Sequence, residues 1–277
     1  MAYKMYPVLF NGEAVRAVLG SRKTQTRRPI KLLFEGLDFA GWHPDDASIA
    51  LFVREDEIGK THWSTRCPYG VVGDHLWMRE TWRIGAWNDN TQIAVDYRAD
   101  GYARREWLDV PDEDMFERLW IQSSDDALAA GIVEDPDGLY YWAPGEAPTR
   151  WRPSIHMPRW ASRIALEVTD VRVKRVQEIS KEDALAEGLA TWMEAHGFVG
   201  DLDPHTHRLH TDFVATFGMM WDTIYAKPKP AYKDKKIMHY ASYPWESGTE
   251  TRDHRGLPWF VHGNPWVWAT SFKRLEG

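Results

Sequence analysis

Apolar and polar residues alternate over residues 163–176, where Ile164, Leu166, Val168, Val171, Val173 and Val176 mark the strongest strand pattern in the chain. Asp170 interrupts that series and predicts a bend or break there. Shorter strand patterns fall at 23–29, closed by Pro29, and at 50–54, 76–82, 93–97 and 266–272. The strand at 76–82 follows a Gly70-Val71-Val72-Gly73-Asp74 turn signal. Helical spacing is rarer. Residues 11–20 combine an Asn11 cap, an apolar face of Ala14, Val15, Val18 and Leu19, and a Gly20 stop. Ser180 and Asp183 hold capping-box positions at the head of 180–188, which Gly188 closes. Residues 211–225 carry Phe213, Val214, Phe217, Met220, Trp221 and Ile224 at helical spacing, a stripe suited to core packing. One more helical piece is expected near 112–119.

There is no internal repeat. Short strands, few helices and a closing C-terminal strand predict an α+β protein, a small mixed β-barrel with flanking helices and long loop-rich insertions. We read residues 1–277 as one domain with insertions at about 31–68, 101–150 and 192–260.

Composition narrows the class. Hydrophobic residues make up 43% and charged residues 27% of 277, which excludes disordered, collagen-like and low-complexity chains. No apolar run approaches the roughly 20 residues that span a bilayer, so no membrane partner is expected. The first residues lack the apolar core of a signal peptide, and the single Cys67 suits a reducing compartment, so a cytoplasmic location is expected. Tryptophan is over-represented, with 16 copies, several in Pro-Trp pairs such as Pro244-Trp245 and Pro258-Trp259. Such residues either plug a loop-rich core or line a cleft that stacks flat ligands.

The net charge of −7 argues against a general nucleic-acid coat, but it conceals an asymmetry. Residues 106–137 carry about −10, leaving about +3 on the remainder. Every charge from 16 to 31 is positive: Arg16, Arg22, Lys23, Arg27, Arg28 and Lys31. A second basic stretch holds Lys227, Lys229, Lys233, Lys235 and Lys236. Local anion sites on an acidic protein would suit phosphates.

The densest chemistry lies in Gly20-Ser21-Arg22-Lys23-Thr24-Gln25-Thr26-Arg27-Arg28. In an ideal strand Lys23 and Gln25 face one way, Thr24 and Thr26 the other, so Lys23 and Thr26 converge only across a turn or bulge. This segment resembles the opening Gly-x-Lys-Thr-x-Thr-x-Arg signature of ASCH domains, members of the PUA-like superfold. Val72-Gly73-Asp74-His75-Leu76-Trp77, Val168-Thr169-Asp170-Val171-Arg172-Val173 and the helix at 179–188 resemble three further pieces of that family, in order. Cys67-Pro68-Tyr69-Gly70, Arg79-Glu80-Thr81-Trp82, Trp151 to Trp160 and Asn264-Pro265-Trp266-Val267-Trp268 extend the likeness to prophage-encoded ASCH-like proteins often labelled morphogenetic. About 100 residues correspond to the ASCH core.

The resemblance implies a nucleoside, a nucleotide or nucleic acid (RNA or DNA) as partner, and no cofactor or metal. Family members include N4-acetylcytidine amidohydrolases and a ribonuclease. By motif their catalytic Lys, Thr and Glu fall on Lys23, Thr26 and Glu187, and the basic residue closing the signature on Arg28. Lys23 would act as a base if desolvation lowered its pKa, or as an oxyanion or phosphate donor if Glu187 kept it charged. Arg22, Thr24, Arg27 and Arg28 are expected to bind substrate, the arginines at its phosphate, together with Trp77, Arg152, His156 and Arg159. The Trp151–Trp160 stretch is either an ordered packing loop or a lip that offers guanidinium groups to a base or phosphate. The resulting expectation is a protein that recognises a nucleobase, nucleotide or nucleic acid, with hydrolysis of a modified nucleoside at an amidohydrolase-like or nuclease site left open. The alternatives are a base-binding module without chemistry and an assembly accessory. His205, His207 and His210 form a weaker metal candidate, and Cys67 with His62 and His75 a weaker nucleophile.

Overall fold

The computed structural model describes residues 3–32, 36–56, 59–136, 139–197, 212–233, 235–246, 251–252 and 256–275. Its elements begin with β1 (Met5–Leu9), α1 (Gly12–Leu19), β2 (Gln25–Pro29), β3 (Asp38–His43), β4 (Asp46–Asp56) and β5 (Gly59–Arg66). There follow β6 (His75–Arg79), β7 (Trp82–Trp87), β8 (Gln92–Tyr97), β9 (Leu108–Asp109), α2 (Glu113–Ala129) and β10 (Ala165–Arg175). The chain continues through α3 (Lys181–Ala186), α4 (Leu189–Ala195), α5 (Phe213–Tyr225), β11 (Lys229–Lys233) and β12 (Lys236–Ser242). It closes with β13 (Thr251–Arg252), β14 (Pro258–Val261) and β15 (Trp266–Arg274).

Strand exceeds helix, about 39% against 24%, and both classes are well represented, so the protein is α+β. The strands are spread over several open sheets. Among the described residues no closed barrel forms, because each long excursion pairs its strands locally.

The chain divides into two compact units, each assembled from separated stretches. The first comprises residues 1–4, 20–74 and 167–273. In it β10, β15 and β2 lie side by side, β2 antiparallel to β15 with Thr26 opposite Thr270 and Arg27 opposite Ala269. The 31–68 stretch, where the pattern predicts one strand, forms the three-stranded antiparallel sheet β3-β4-β5. Its inner face holds Phe52 and Ala50 against Ile30, Cys67, Val173 and Trp268. A second core joins α3, α4 and α5 through Ala184, Leu189, Trp192, Phe217, Met220 and Trp221. Gly218 is required there: a Cβ on it would come within 2.9 Å of the Trp245 indole. β11, β12, β14 and β13 form a four-stranded sheet, again strands where the pattern suggests loop.

The second unit comprises residues 5–19, 75–166 and 274–277. Parallel β1 and β6 pair with Met5 opposite His75, and β7, β8 and β9 form an antiparallel sheet. Trp82, Ile84, Ile93, Val95 and Tyr97 build its core. The helix expected near 112–119 runs on to Ala129, started by the Asp112 side chain accepting from Asp114 N. Its continuation mixes Ser123, Ser124, Asp125 and Asp126 with Ala127 and Leu128, too weak a stripe to read as helix from sequence. β10 runs unbroken through Asp170, whose carboxylate meets Arg172 at 2.8 Å, and the buried positions shift there from Leu166 and Val168 to Val173.

Candidate functional site

The signature segment enters β2 through Ser21, whose φ of 55° turns the chain. Lys23 then bridges Glu187 in antiparallel fashion, Thr24 N donates to Ala186 O at 2.8 Å, and Phe272 N donates to Thr24 O at 2.8 Å. Residues 23–24 are thus stitched between the end of α3 and β15. On the other side of this seam Ser180 caps α3 by accepting from Asp183 N at 3.1 Å. Glu187 ends the helix, and Gly188 at φ 87° reverses the chain into α4. Six residues of helix between a serine cap and a left-handed glycine set Asp183 and Glu187 one turn apart on the face toward β2.

Those two carboxylates gather the cations. Lys23 Nζ donates to the Glu187 carbonyl at 2.5 Å and to Glu187 Oε2 at 2.8 Å, with both side chains about nine-tenths or more buried. Arg27 donates to Asp183 Oδ2 at 2.5 Å and lies 3.8 Å from Glu187 Oε1. Gln25 donates to Asp183 Oδ1 at 2.9 Å, and Arg172 reaches the same oxygen at 3.4 Å. Arg28 donates to the Tyr225 hydroxyl at 2.9 Å. Tyr225 packs on Trp221 with ring centroids 4.2 Å apart, and the Lys229 ammonium sits 5.4 Å from the Tyr225 ring centroid.

Protonation follows from these contacts. Burial pushes Lys23 below its ordinary value, against the opposing pull of Glu187. Burial likewise pushes Arg27 down, with Glu187 and Asp183 opposing. Partial burial works to raise Asp183, but the Gln25 amide and the Arg27 and Arg172 guanidiniums hold it below the usual carboxylate range. Burial works against Arg28, yet the phenols of Tyr225 and Tyr69 and the Glu187 carboxylate hold it above its ordinary value. Burial pushes the Tyr69 phenol up to about 12 in spite of Arg28.

Four buried polar atoms at this corner have no hydrogen-bond partner among the described residues: Arg27 Nε, Arg27 Nη1, Gln25 Oε1 and Glu187 Oε1. The Thr270 hydroxyl, opposite Thr26 across the β2–β15 pair, is a fifth. Buried polar groups are seldom left without hydrogen bonds, and here two of them, Arg27 Nε and Glu187 Oε1, face each other as an ion pair at 3.8 Å. Thr26 is itself buried, 3% exposed, but it lies between Gln25 and Arg27 on β2, so strand alternation turns its side chain to the face opposite the one that meets Asp183.

The other expected binding residues divide. Arg22 is exposed and paired with Glu194 at 2.8 Å; Thr24 is exposed. With Lys23 and Arg27 buried and internally paired, the 16–31 cations do not form one solvent-facing positive patch; burial beside acceptors from α3 has taken two of them inward. Trp77, Arg152, His156 and Arg159 all belong to the second unit. There Arg79 stacks over Trp77 at 5.3 Å, Arg152 donates to Gln122 Oε1 at 2.9 Å, and His156 and Arg159 are exposed. His205, His207 and His210 lie outside the described residues. Among the described residues no cluster of metal-ligating side chains occurs. Cys67 is buried, its thiol pushed up to about 11 by desolvation, which suits packing better than nucleophilic attack.

Sequence reading missed Gln25, Asp183, Tyr69 and Tyr225. Asp183 carried a signal as the fourth residue of the capping box, which accounted for it as a helix start and hid its second task. Tyr225 ends an apolar stripe, and nothing local marks it as the partner of a residue 197 positions away. No family model, curated protein or solved structure matches the chain.

Proposed function

We propose that the protein recognises a nucleoside at the Lys23–Glu187 corner and hydrolyses an acyl group from it, in the manner of the ASCH-like amidohydrolases its signature resembles. This reading takes β10, β15 and β2 with α3 as the ASCH core of a PUA-like fold. The observation that carries it is the union of Lys23 with Glu187, 164 residues apart, at 2.8 Å and beside unpaired buried donors and acceptors. Those two residues are the lysine and glutamate that the resemblance selects as catalytic.

With Glu187 already on its ammonium, Lys23 is best placed to stabilise negative charge developing on the acyl oxygen. In this proposal the Thr26 hydroxyl attacks the acyl carbon and passes its proton to the Glu187 carboxylate, whose Oε1 carries no hydrogen bond and faces Arg27 Nε at 3.8 Å. The carbon–nitrogen bond breaks as the departing amine takes that proton. Water then cleaves the threonine ester, releasing the acid and restoring the hydroxyl. Arg28, flanked by Tyr69 and Tyr225, orients the sugar or phosphate.

Burial favours a second reading. Lys23 and Glu187 are 6% and 7% exposed and satisfy each other, as in a base-binding module without turnover. Chromatographic assay of N4-acetylcytidine deacylation decides between them, with calorimetry on the same samples. Hydrolysis predicts turnover by the wild type, and a loss of about 100-fold or more in kcat for Thr26→Val and Glu187→Gln while substrate affinity changes far less. Binding without turnover selects the reader, and neither turnover nor binding of any cytidine derivative removes both.

A further inference from the structure

The second unit contains a cleft of about 510 Å³ that the proposed nucleoside site does not use. Its walls come from the end of β7, from α2 and from the segment after α2. Trp87, Tyr140 and Trp142 form one corner, Trp120 of α2 another side, and the charged lining residues are Asp89 and Glu134. None of the lining residues is basic.

The three corner rings touch one another at an angle. Trp87 and Trp142 have centroids 5.4 Å apart with planes at 57°; Trp87 and Tyr140 are 5.6 Å apart at 61°. Tyr140 and Trp142 are 6.2 Å apart at 40°. A flat base sandwiched between two rings needs parallel faces held about 7 Å apart, and this corner does not offer them. Tilted faces meeting at a corner suit a rounded group instead. The polar edges are also committed within the protein: Trp142 Nε1 donates to Gly85 O at 2.6 Å, and the Tyr140 hydroxyl donates to Glu134 Oε1 at 2.7 Å. With those two edges committed, the corner offers ring faces to a ligand, alongside Asn88, Tyr141 and the carboxylates of Asp89 and Glu134.

Ring faces attract cations through their quadrupole, and they do so best for alkylated ammonium groups, which carry charge on an apolar surface and are weakly hydrated. The electrostatic surroundings agree. The cleft adjoins the 106–137 segment, net about −10, which repels phosphates and attracts cations. We propose that this cleft is an aromatic cage for an alkylated ammonium group, a quaternary ammonium or methylated amine. The volume exceeds such a head group alone, so the remainder of a small molecule or of a side chain enters with it.

The test is titration of the intact protein by tryptophan fluorescence and calorimetry with choline and with its uncharged carbon isostere 3,3-dimethylbutan-1-ol. Parallel titrations use a trimethyllysine peptide and the same peptide with unmodified lysine. The expected result is saturable binding of choline or of the trimethyllysine peptide, about tenfold or more tighter than the matching control. Choline preference identifies a free small molecule as the source, and peptide preference a modified protein. Trp120→Leu and Glu134→Gln, both on partly open parts of the cleft, should each weaken binding about fivefold or more. Trp107→Ala, an exposed tryptophan outside the cleft, should leave it unchanged. Equal affinity for the uncharged isostere, no saturable binding up to about 10 mM, or indifference to both cleft substitutions would overturn the proposal.

Discussion

Lys23, Arg27 and Arg163 show how differently a cation behaves once its carboxylate partner is fixed. Arg163 meets Glu80 through two hydrogen bonds of 2.9 and 3.0 Å and Asp100 through two of 3.0 and 2.8 Å. All its charge is absorbed internally, and Glu80 is 2% exposed. Arg163→Met should therefore strand a buried carboxylate and cost about 3–5 kcal/mol, measured by urea unfolding. A loss below about 1 kcal/mol would mean that Glu80 finds water or another donor. Asp183 gives a pH signature. Its carboxyl is held below the usual range when folded, so at acid pH the unfolded chain takes up the proton first. Its contribution to stability is complete above the unfolded pKa, about 4, and is lost as pH falls through the folded value. Asp183→Asn should flatten the acid limb of stability against pH by up to one proton, and an unchanged slope would count against the Gln25–Arg27–Arg172 assembly. At this scale the sequence was only partly legible. A signature picked out Lys23 and Glu187, but Gln25, Tyr69 and Tyr225 acquire their roles through contacts that no local pattern encodes.

Among the elements, those with a strong period and a marked end were legible. Asn11 accepts from Ala14 N at 2.9 Å at the head of α1, Ser180 starts α3, and Asp212 accepts from Val214 N and Ala215 N at the head of α5. The long alternating run became β10 and the closing run β15. The excursions were not legible, for a physical reason. β3, β5 and β11 are half-buried or exposed ribbons with polar and aromatic residues mixed. β5 alternates exposed and half-buried positions, but its inward residues are Thr61, Trp63 and Thr65, so no apolar alternation shows in its sequence. Their ladders hold them where their composition does not announce them. Two substitutions test the element-level account. Ser180→Ala removes the α3 cap that sets the position of Glu187 and should cost about 1 kcal/mol in thermal unfolding. Gly218→Ala drives a methyl into the Trp245 indole, with a closest approach of 2.9 Å. It should destabilise by about 1–3 kcal/mol although alanine favours helix by itself, and a gain in stability would show that Trp245 moves aside freely.

For the molecule as a whole, charge is the property that decides what can approach. The chain carries −7, and no helix among the described residues is long and apolar enough to cross a membrane. The six cations of the 16–31 segment suggested a phosphate-binding face, but Lys23 and Arg27 are turned inward and Arg22 is held by Glu194. A 16–31 segment that offers few uncompensated cations releases few counterions on meeting DNA there, so binding through it should depend weakly on salt. Titration against a random duplex from about 50 to 200 mM salt should give weak binding with a log–log slope no steeper than about −2. Arg28→Ala, which removes the cation flanked by two phenols, should lower affinity for a nucleotide without altering that duplex slope. A slope near −6 that persists when Lys227, Lys229, Lys233, Lys235 and Lys236 are replaced by Ala would mean that most of the 16–31 cations reach phosphate together, which requires the Lys23–Glu187 and Arg27–Asp183 pairs to open on binding. Under the proposed function the ligand is instead a single nucleoside or nucleotide, which needs to meet only one or two of these charges.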